Sequence, residues 1–443
     1  MNKRIEKWEN SCAFFLPLID RYPEFIPILH TVYSSLEIDL DKNHVKKCNF
    51  DNRMFSLSRG KNVSRILLFP FSSRSNCLGS CKLISNNLPK DKYIYLQNSK
   101  RQIDLGSHID DIVHIKPEIH SINIFRISLL VKVFLKHLVK TNNINLYNLI
   151  KIPKIVIKLI HVQSLLPAAK KIIVDYNIDY FLSPNEQNFI SSIFTVAARM
   201  QGICSGQFLH GLPTLLYLPS FSSDFWIWGK TTSTMLGLDN SKEDNLVLSG
   251  SLEFSGNHKS LSKYKAPKNR TRVLFLSQLV GDRIWETSVF SEAFQLVVDA
   301  ISRINNMHLK IRMHPQADYK IRNNAKKYLE LKGCSFSFST NEEICDDINE
   351  CDFICTASSS GIIGALQMKK PISIIWLDEL NDIHGEAFLP KEFISRTTNE
   401  LIDKIEKTDN IKNEIYEKAI KNLCGDLAPE KKIASMLTSE KQC

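Results

Sequence analysis

The chain has 443 residues, which is more than a single hydrophobic core usually supports, so two domains are expected. Hydrophobic residues make up 43% and charged residues 23% of the sequence, and this balance excludes a collagen-like or disordered chain. The net charge of +10 has no recognised nucleic-acid motif beside it, so the sequence gives no support for a nucleic-acid partner.

The first half of the sequence predicts helices followed by alternating strands and helices. Helices are predicted over the first 60 residues, with a polar connection at 39–51. The predicted strands cover 65–71, 93–96, 111–115 and 180–182, and a further strand ends at 207–209. A helix is predicted over 191–200, between the last two of these strands. Strand, helix and strand at this spacing indicate βαβ units and a parallel sheet.

A second series of the same kind follows a lysine-rich connector at 256–272. Strands are predicted at 272–277, 308–313, 334–338, 352–355 and 371–376, with helices at 286–304, at 320–332 and from 360 onward. The last 50 or so residues are charged and predicted helical. The sequence therefore predicts an α/β protein of two doubly wound domains. The boundary is expected near 256–270, which gives an N-terminal domain 1–260 and a C-terminal domain 261–443.

The segment 121–171 differs from the rest of the chain in charge. It contains nine Lys or Arg residues and no Asp or Glu, interleaved with apolar residues in an amphipathic helical pattern. Such helices can lie on an anionic membrane surface, and the alternative is a solvated helix face. No uncharged apolar stretch of about 18 residues is present, so a spanning helix is not expected.

Cysteine usage and the N-terminus predict a cytoplasmic protein that could sit at the inner face of the plasma membrane. Eleven scattered cysteines favour a reducing compartment over a disulfide framework. The apolar residues 12–18 follow Glu6 and Glu9, which is not typical of a signal peptide. The pairs Cys77/Cys81 and Cys351/Cys355 lack the partners of a structural zinc site, so no metal is expected there.

A serine turn follows one predicted strand of the second domain. Ser358, Ser359, Ser360 and Gly361 lie between that strand and an apolar helix. Hydroxyl groups and backbone N–H groups at a helix start can bind a phosphate, although a single serine there would serve as an ordinary helix cap. Ser277 and Gln278, after the first strand of this domain, are weaker candidates for contact with the phosphate or the sugar.

A histidine ends another strand of the same domain. His314 is followed by Pro315, which holds the histidine in an extended conformation beyond the strand. An imidazole there can donate to a phosphate oxygen, and Arg312 is a further cation nearby.

The first domain supplies the candidates for proton transfer. His210 and Gly211 end its predicted strand at 207–209, and His210 would act as a general base on an acceptor hydroxyl. Glu186, in a turn between a strand and a helix, could be the base, orient His210, or simply start the helix. Trp226 and Trp228 are expected in the core rather than under a sugar.

The order of these motifs resembles the GT-B glycosyltransferases of bacterial surface polysaccharides. The motifs are H-G-x-P at 210–213, S-D-x-x-x-W-G at 223–229, R-x-H-P at 312–315 and S-S-S-G at 358–361. Parts of this order are similar to bacterial sialyltransferases and polysialyltransferases, and parts to CDP-glycerol-type capsule and teichoic-acid polymerases. The resemblance covers roughly residues 170–380. It implies two Rossmann-like domains facing across a cleft, with His314, Ser358, Ser359 and Ser360 on the nucleotide phosphate and His210 at the acceptor.

The sequence as a whole predicts an inverting glycosyltransferase that needs no metal or other cofactor. Its expected partners are a nucleotide-sugar donor, for example a CMP-activated sialic-acid-like sugar, and a glycan or lipid-linked acceptor. A CDP-polyol phosphotransferase and a nucleotide-sugar 2-epimerase are the enzyme alternatives. A carbohydrate-assembly scaffold without activity is the non-catalytic alternative.

Overall fold

The computed structural model describes most of both predicted domains. The described residues are 21–28, 63, 65–70, 75–98, 112–117, 123–140, 152–186, 188–209, 211–213, 217, 220–236, 246–252, 271–278, 287–315, 317–380, 389–407, 411–425 and 428–438. Most of the predicted N-terminal helices lie outside these residues, as does the predicted boundary at 256–270. The boundary therefore stays a prediction.

The first domain contains a parallel sheet, to which the described residues contribute seven strands. These are β1 Ile66–Leu68, β2 Tyr93–Asn98, β3 Ile112–Ile115, β4 Tyr180–Ser183, β5 Cys204–Phe208, β6 Asp224–Ile227 and β7 Leu246–Leu248. Their spatial order is β3-β2-β1-β4-β5-β6-β7, and every recorded pair is parallel. The order reverses between β1 and β4, which is the doubly wound pattern that the sequence predicted.

The helices of this domain cover the sheet. They are α1 Ser80–Ser85, α2 Ile124–Lys140, α3 Ile152–Asp175, α4 Phe189–Met200 and α5 Lys230–Met235. Asn188 caps α4 by accepting from the N–H groups of Ile190 and Ser191, which fixes where that helix begins after β4.

Helix α3 is long and apolar enough to cross a membrane by length and composition, and it is the one described helix that meets both criteria. One of its faces nevertheless packs in the core of the first domain, where Leu159, Val162 and Ala169 are buried. That packing accounts for the apolar residues on this face.

The second domain repeats the arrangement with six described strands. They are β8 Thr271–Leu276, β9 Met307–Arg312, β10 Phe336–Phe338, β11 Phe353–Thr356, β12 Ile372–Ile375 and β13 Ile394–Ser395. The order β10-β9-β8-β11-β12-β13 is again parallel and reverses between β8 and β11. The second domain is therefore doubly wound like the first.

Helices again alternate with these strands. They are α6 Thr287–Arg303, α7 Tyr319–Leu331, α8 Ile344–Glu350, α9 Gly361–Gln367 and α10 Thr398–Glu406, followed by α11 Asn413–Cys424 and α12 Pro429–Thr438. Residues of both domains belong to one continuous apolar cluster, in which Phe225 and Trp228 join Phe275 and Leu423. The two sheets therefore share part of their core.

The last helix returns to the first domain. Ile433, Ala434 and Leu437 of α12 are buried in a cluster with Leu68 and Tyr180 of the first sheet. The end of α11 also contacts the first domain, because the N–H of Ser251 donates to the carbonyl of Cys424 over 2.9 Å. The C-terminal helices thus link the two domains.

Candidate functional site

The reversal of strand order opens a crevice at the carboxyl ends of the strands in each sheet. In α/β sheets of this kind ligands bind in that crevice. In the second sheet it lies between β8 and β11, which pair in register from Phe353–Val273 to Thr356–Leu276. The residues that follow these strands, Ser277 with Gln278 and Ser358 with Ser359, therefore meet at the crevice.

Thr356, the last residue of β11, fastens the two sides of this crevice together. Its hydroxyl donates to the carbonyl of Leu276 over 2.8 Å and accepts from the N–H of Ser359 at 3.2 Å. One side chain thus connects the end of β8 to the serine turn. The sequence interpretation missed this role, although a threonine directly before a serine turn could have suggested it.

The backbone of the serine turn is largely occupied by its own hydrogen bonds. The N–H of Gly361 donates to Ser359 Oγ at 3.3 Å, and the N–H groups of Ile362 and Ile363 donate to the carbonyls of Ser359 and Ser360. Ser360 precedes α9 without a capping hydrogen bond from its side chain to the helix. The predicted cradle of backbone N–H groups is therefore partly wrong, and contact of the serine hydroxyls with a phosphate stays a prediction.

Gly361 packs closely against two apolar side chains. A Cβ added at Gly361 would lie 2.3 Å from Ile344 Cδ1 and 2.8 Å from Leu276 Cδ1. Both atoms are the ends of flexible side chains, so a larger residue here would require them to shift. Glycine thus lets α9 begin close to β8 and α8, and the predicted contact of Gly361 with the phosphate stays a prediction.

His314 lies on the other side of β8 from the serine turn. It follows β9, whose end is held beside β8 because the N–H of Ser277 donates to the carbonyl of Arg312 over 2.9 Å. His314 is half-buried and Pro315 is exposed, so neither belongs to the core. Adjacent strands are about 4.8 Å apart, which places the ends of β9 and β11 about 10 Å from each other. Side chains from both can reach one phosphate above β8.

Arg312 supports a loop. Its guanidinium donates to the carbonyls of Asn341 and Glu342, at 2.9 and 2.6 Å, and to Asp347 Oδ2 at 2.6 Å. These bonds hold the segment between β10 and α8. The predicted cation for the phosphate is thus already committed to carbonyl and carboxylate partners.

Asp347 is buried, which is rare for an acidic residue unless it is paired. It is fully buried and pairs with Lys310 Nζ at 2.8 Å as well as with Arg312. Burial raises its pKa, but hydrogen bonds from Lys310, Ser339 and Arg312 outweigh this effect and leave the pKa below its usual value. The carboxylate is therefore ionised and fixes the loop that Arg312 also holds.

Glu186 follows β4 in the first domain and is enclosed. It is 2% exposed, and its carboxylate accepts from the hydroxyls of Ser220 and Ser222 at 2.9 and 3.0 Å. The N–H groups of Phe221 and Ser222 also donate to it, at 2.9 and 3.1 Å. A carboxylate surrounded in this way cannot reach a substrate hydroxyl, so the predicted role as base does not fit. Glu186 instead clamps the segment 220–222.

The electrostatics of Glu186 follow from its burial. Burial raises the pKa of Glu186 to about 7, although the four hydrogen-bond donors lower it in part. Its own N–H donates to Gln207 Oε1 at 2.9 Å, so the clamp also connects to β5.

The other predicted base, His210, lies outside the described residues, but the residues on either side of it are fixed. The N–H of Leu209 donates to the carbonyl of Trp226, and Trp228 Nε1 donates to the carbonyl of Leu209 at 3.3 Å. Trp226 and Trp228 are fully buried, which agrees with the core role expected for them. The segment from β5 to β6, which carries His210, is thus held by Trp228 at one end and by Glu186 at the other.

Comparison with known proteins classifies this chain by its fold alone. No protein-family profile and no curated protein sequence matches the chain. Among solved structures, UDP-GlcNAc 2-epimerase from Methanocaldococcus jannaschii is similar at a TM-score of 0.52 with 12% identity, covering 84% of this chain and 99% of that chain. The enzyme from Neisseria meningitidis bound to UDP-GlcNAc gives 0.51 with 12% identity, covering 84% and 98%. The Staphylococcus aureus MnaA–UDP complex gives 0.51 with 13% identity, covering 85% and 96%.

These similarities extend over both domains and confirm the predicted architecture. The chain has the GT-B fold, in which two doubly wound domains face each other across a cleft. Nucleotide-sugar epimerases share this fold, so the architecture by itself does not choose between transfer and epimerisation.

Proposed function

We propose that this protein is a glycosyltransferase that takes a sugar from a nucleotide-activated donor. The observation that supports the proposal is that Ser277, the serine turn and His314 follow three neighbouring strands, β8, β11 and β9, at the switch point of the second sheet. Hydroxyls and an imidazole at strand ends are suited to the phosphate of a leaving nucleotide. The donor would bind in the second domain and the acceptor in the first.

The reaction would be an in-line displacement at the anomeric carbon. The acceptor oxygen forms a bond to that carbon while the bond to the nucleotide phosphate breaks, and the configuration inverts. His210 would take the proton of the acceptor hydroxyl, and His314 with Ser358 and Ser359 would donate to the phosphate as its charge develops. We propose that no metal takes part, and chelation by EDTA should then leave the activity unchanged.

The finer identity of the substrates rests on the resemblance of the motifs. It favours a CMP-activated sialic-acid-like sugar or another nucleotide sugar as donor. The proposed acceptor is a glycan of a bacterial surface polymer (capsule, O-antigen or lipooligosaccharide) on the cytoplasmic side of the plasma membrane.

A thermal-shift panel of CMP, CDP, UDP and GDP tests the donor site. A nucleotide that binds the folded state alone raises the unfolding temperature by mass action. We expect one base to stand out, and incubation of the corresponding nucleotide sugar with a glycan acceptor should release the nucleotide and extend the glycan. If no nucleotide shifts the transition, the donor site is refuted.

A nucleotide-sugar 2-epimerase is the second candidate, because two of the similar structures named above are UDP-GlcNAc 2-epimerases. Epimerisation removes and returns a proton at C2 without an acceptor. Deuterium from solvent would then appear at C2 of UDP-GlcNAc or its epimer, whereas a transferase incorporates none. Transfer of a polyol phosphate from a CDP-polyol would identify the third alternative.

A further inference from the structure

The outer face of α2 is apolar and basic. Ile124 and Phe125 are 73% and 68% exposed, and Leu135 and Val139 are exposed on the same helix. Lys132 and Lys136 are exposed between them. The spacing of these residues places them on one stripe of the helix, opposite the buried Leu130, Phe134 and Leu138. The helix therefore has one apolar face in the core and another directed to solvent.

The first half of α3 extends this surface. Ile157 is exposed, with Lys154 also exposed one turn before it. The helices are neighbours, because the N–H of Asn123, directly before α2, donates to Gln163 Oε1 in the middle of α3 at 2.9 Å. Five of the eleven large apolar residues exposed among the described residues lie on α2 and the first half of α3. We call this surface, made by Ile124, Phe125, Lys132, Leu135, Lys136, Val139, Lys154 and Ile157, the basic apolar face.

The charge of this face has one sign. The chain carries nine Lys or Arg and no Asp or Glu between residues 121 and 171. In the described part of this segment, Arg126 pairs with Glu24. Two copies of the chain joined through this face would bring like charges together, which disfavours self-association. A partner with an apolar interior and a negative surface fits both properties.

The length of α3 places its first turns, with Lys154 and Ile157, at the carboxyl edge of the first sheet. The helix has 24 residues, or about 36 Å at the usual rise, whereas a strand of six residues spans about 20 Å. Its C-terminal end lies near the beginning of β4, which starts five residues later at Tyr180. The first half of α3 therefore extends past the carboxyl ends of the strands, where Glu186 and the segment after β5 also lie.

We propose that the basic apolar face docks this protein on the surface of an anionic lipid bilayer. Ile124, Phe125 and Val139 would enter the boundary between headgroups and acyl chains, and the lysines would lie at the lipid phosphates. The inference stands apart from the proposed glycosyl transfer, since it uses none of the residues of that site. If both are correct, a lipid-linked acceptor would meet the protein on the side of the cleft.

Sedimentation with vesicles tests the proposal on the full chain. The wild type should sediment with phosphatidylcholine vesicles that contain phosphatidylglycerol, and at least tenfold less with phosphatidylcholine alone. The double variant I124S/F125S should lose at least tenfold in partitioning to the anionic vesicles. K132E/K136E should lose a similar factor and with it the preference for anionic lipid.

Two matched controls use residues of α7 in the second domain. Y319S/L331S removes equally exposed apolar side chains, and K320E/K327E changes the charge by the same amount. Both should partition like the wild type. Unchanged unfolding temperatures show that the variants fold.

Four results would overturn the proposal. They are no sedimentation of the wild type, equal losses in the control variants, binding to soluble polyphosphate without binding to vesicles, and a wild-type dimer that I124S/F125S converts to monomer without a change in vesicle binding.

Discussion

Two histidines at opposite ends of β9 allow the role of one to be tested against the other. His308 lies near the start of the strand and hydrogen-bonds the hydroxyls of Ser335 and Ser337 at 3.0 and 2.9 Å. His314 lies beyond its carboxyl end, at the crevice. Both are partly exposed, so neither substitution opens a large cavity.

His314→Ala should weaken nucleotide binding by about tenfold to a hundredfold, because a hydrogen bond to a charged group contributes about 1.5–3 kcal/mol. His308→Ala should leave the affinity unchanged. Titration calorimetry with the nucleotide chosen by the thermal-shift panel measures both. Equal affinities for wild type and His314→Ala would remove His314 from the site.

Glu186 should make the stability depend on pH. Glutamate titrates near pH 4.3 when unfolded, whereas the pKa of Glu186 in the folded protein is about 7. Between these values the folded state holds a proton that the unfolded state has released. The free energy of unfolding contributed by this group is therefore greatest at and below about pH 4 and falls as the pH rises to about 7.

Glu186→Gln removes this dependence, since glutamine does not titrate. Between pH 5 and pH 8 the free energy of unfolding of the wild type should fall by roughly 2 kcal/mol more than that of the variant. Urea unfolding at the two pH values gives the comparison. If the free energy of unfolding changed equally in the two proteins between these pH values, the buried carboxylate would not take up a proton.

The residue types at the crevice could be recognised from the sequence, because serine and histidine after apolar runs are visible without a structure. The partners of Glu186 and Arg312 could not. Ser220 and Ser222 are more than thirty positions from Glu186, and the carbonyls that accept from Arg312 begin 29 positions away. Local patterns carry no information on such distant partners, so a structural carboxylate and a structural guanidinium were assigned to chemistry.

At the scale of elements, the loop between β10 and α8 depends on a buried ion pair. Asp347 receives bonds from Lys310, Arg312 and Ser339 Oγ, and its neighbour Glu350 also pairs with Lys310 but is half-exposed. Both carboxylates lie on α8, so they form a matched pair for substitution.

Asp347→Ala should lower the free energy of unfolding by about 3–5 kcal/mol, because it leaves two cations without their buried partner. Glu350→Ala should cost less than about 1 kcal/mol, as is usual for exposed pairs. Chemical denaturation measures both. If the two variants lost equal stability, the loop would not depend on the buried carboxylate.

Most elements follow from alternation in the sequence, whereas their arrangement does not. The strand predicted at 272–277 is observed at 271–276, and the helix predicted at 286–304 is observed at 287–303. Such elements can be predicted because burial leaves a pattern in the sequence. An element buried on one face has apolar residues at a regular spacing, and a strand buried on both faces is a short apolar run. Strand order is set by long-range pairing, which local alternation does not report. Helix α8 is not among the predicted helices, and one of its buried residues, Asp347, is a carboxylate that no apolar pattern marks.

At the scale of the whole molecule, the two domains meet through backbone contacts at glycine. Gly425 follows α11 with a φ of +72°, and a Cβ there would lie 2.2 Å from the carbonyl oxygen of Trp228 in the first domain. Gly333 has a similar φ of +63° but no atom within 4 Å of an added Cβ. Gly425 also has a ψ of −126°, a combination almost confined to glycine, so a side chain there meets both backbone strain and crowding from the first domain.

Gly333→Ala should cost about 1–2 kcal/mol, the usual penalty for a left-handed conformation with a Cβ. Gly425→Ala should cost clearly more, because the added methyl also pushes the end of α11 away from Trp228. Urea unfolding followed by tryptophan fluorescence reports on both. Equal costs would mean that the domains are not held together at this point.

The packing of the last helix, α12, against the first domain could not be predicted from the sequence. The apolar face of α12 predicts a packed helix, but nothing in it indicates which domain it packs against. Ile433 and Leu437 fill a position on the first sheet that only the folded molecule creates. The return of the chain thus packs the last helix of the sequence on the first sheet.

Hydrogen–deuterium exchange with and without the nucleotide from the thermal-shift panel tests the central claim most directly. Nucleotide should slow exchange in peptides that cover residues 271–278 and 353–367, at the carboxyl ends of β8 and β11, and around His314. Peptides that cover Ser220 to Ile227 in the first domain should change less. Protection confined to the first domain, or protection absent from the serine turn, would contradict a donor site at the switch point of the second sheet.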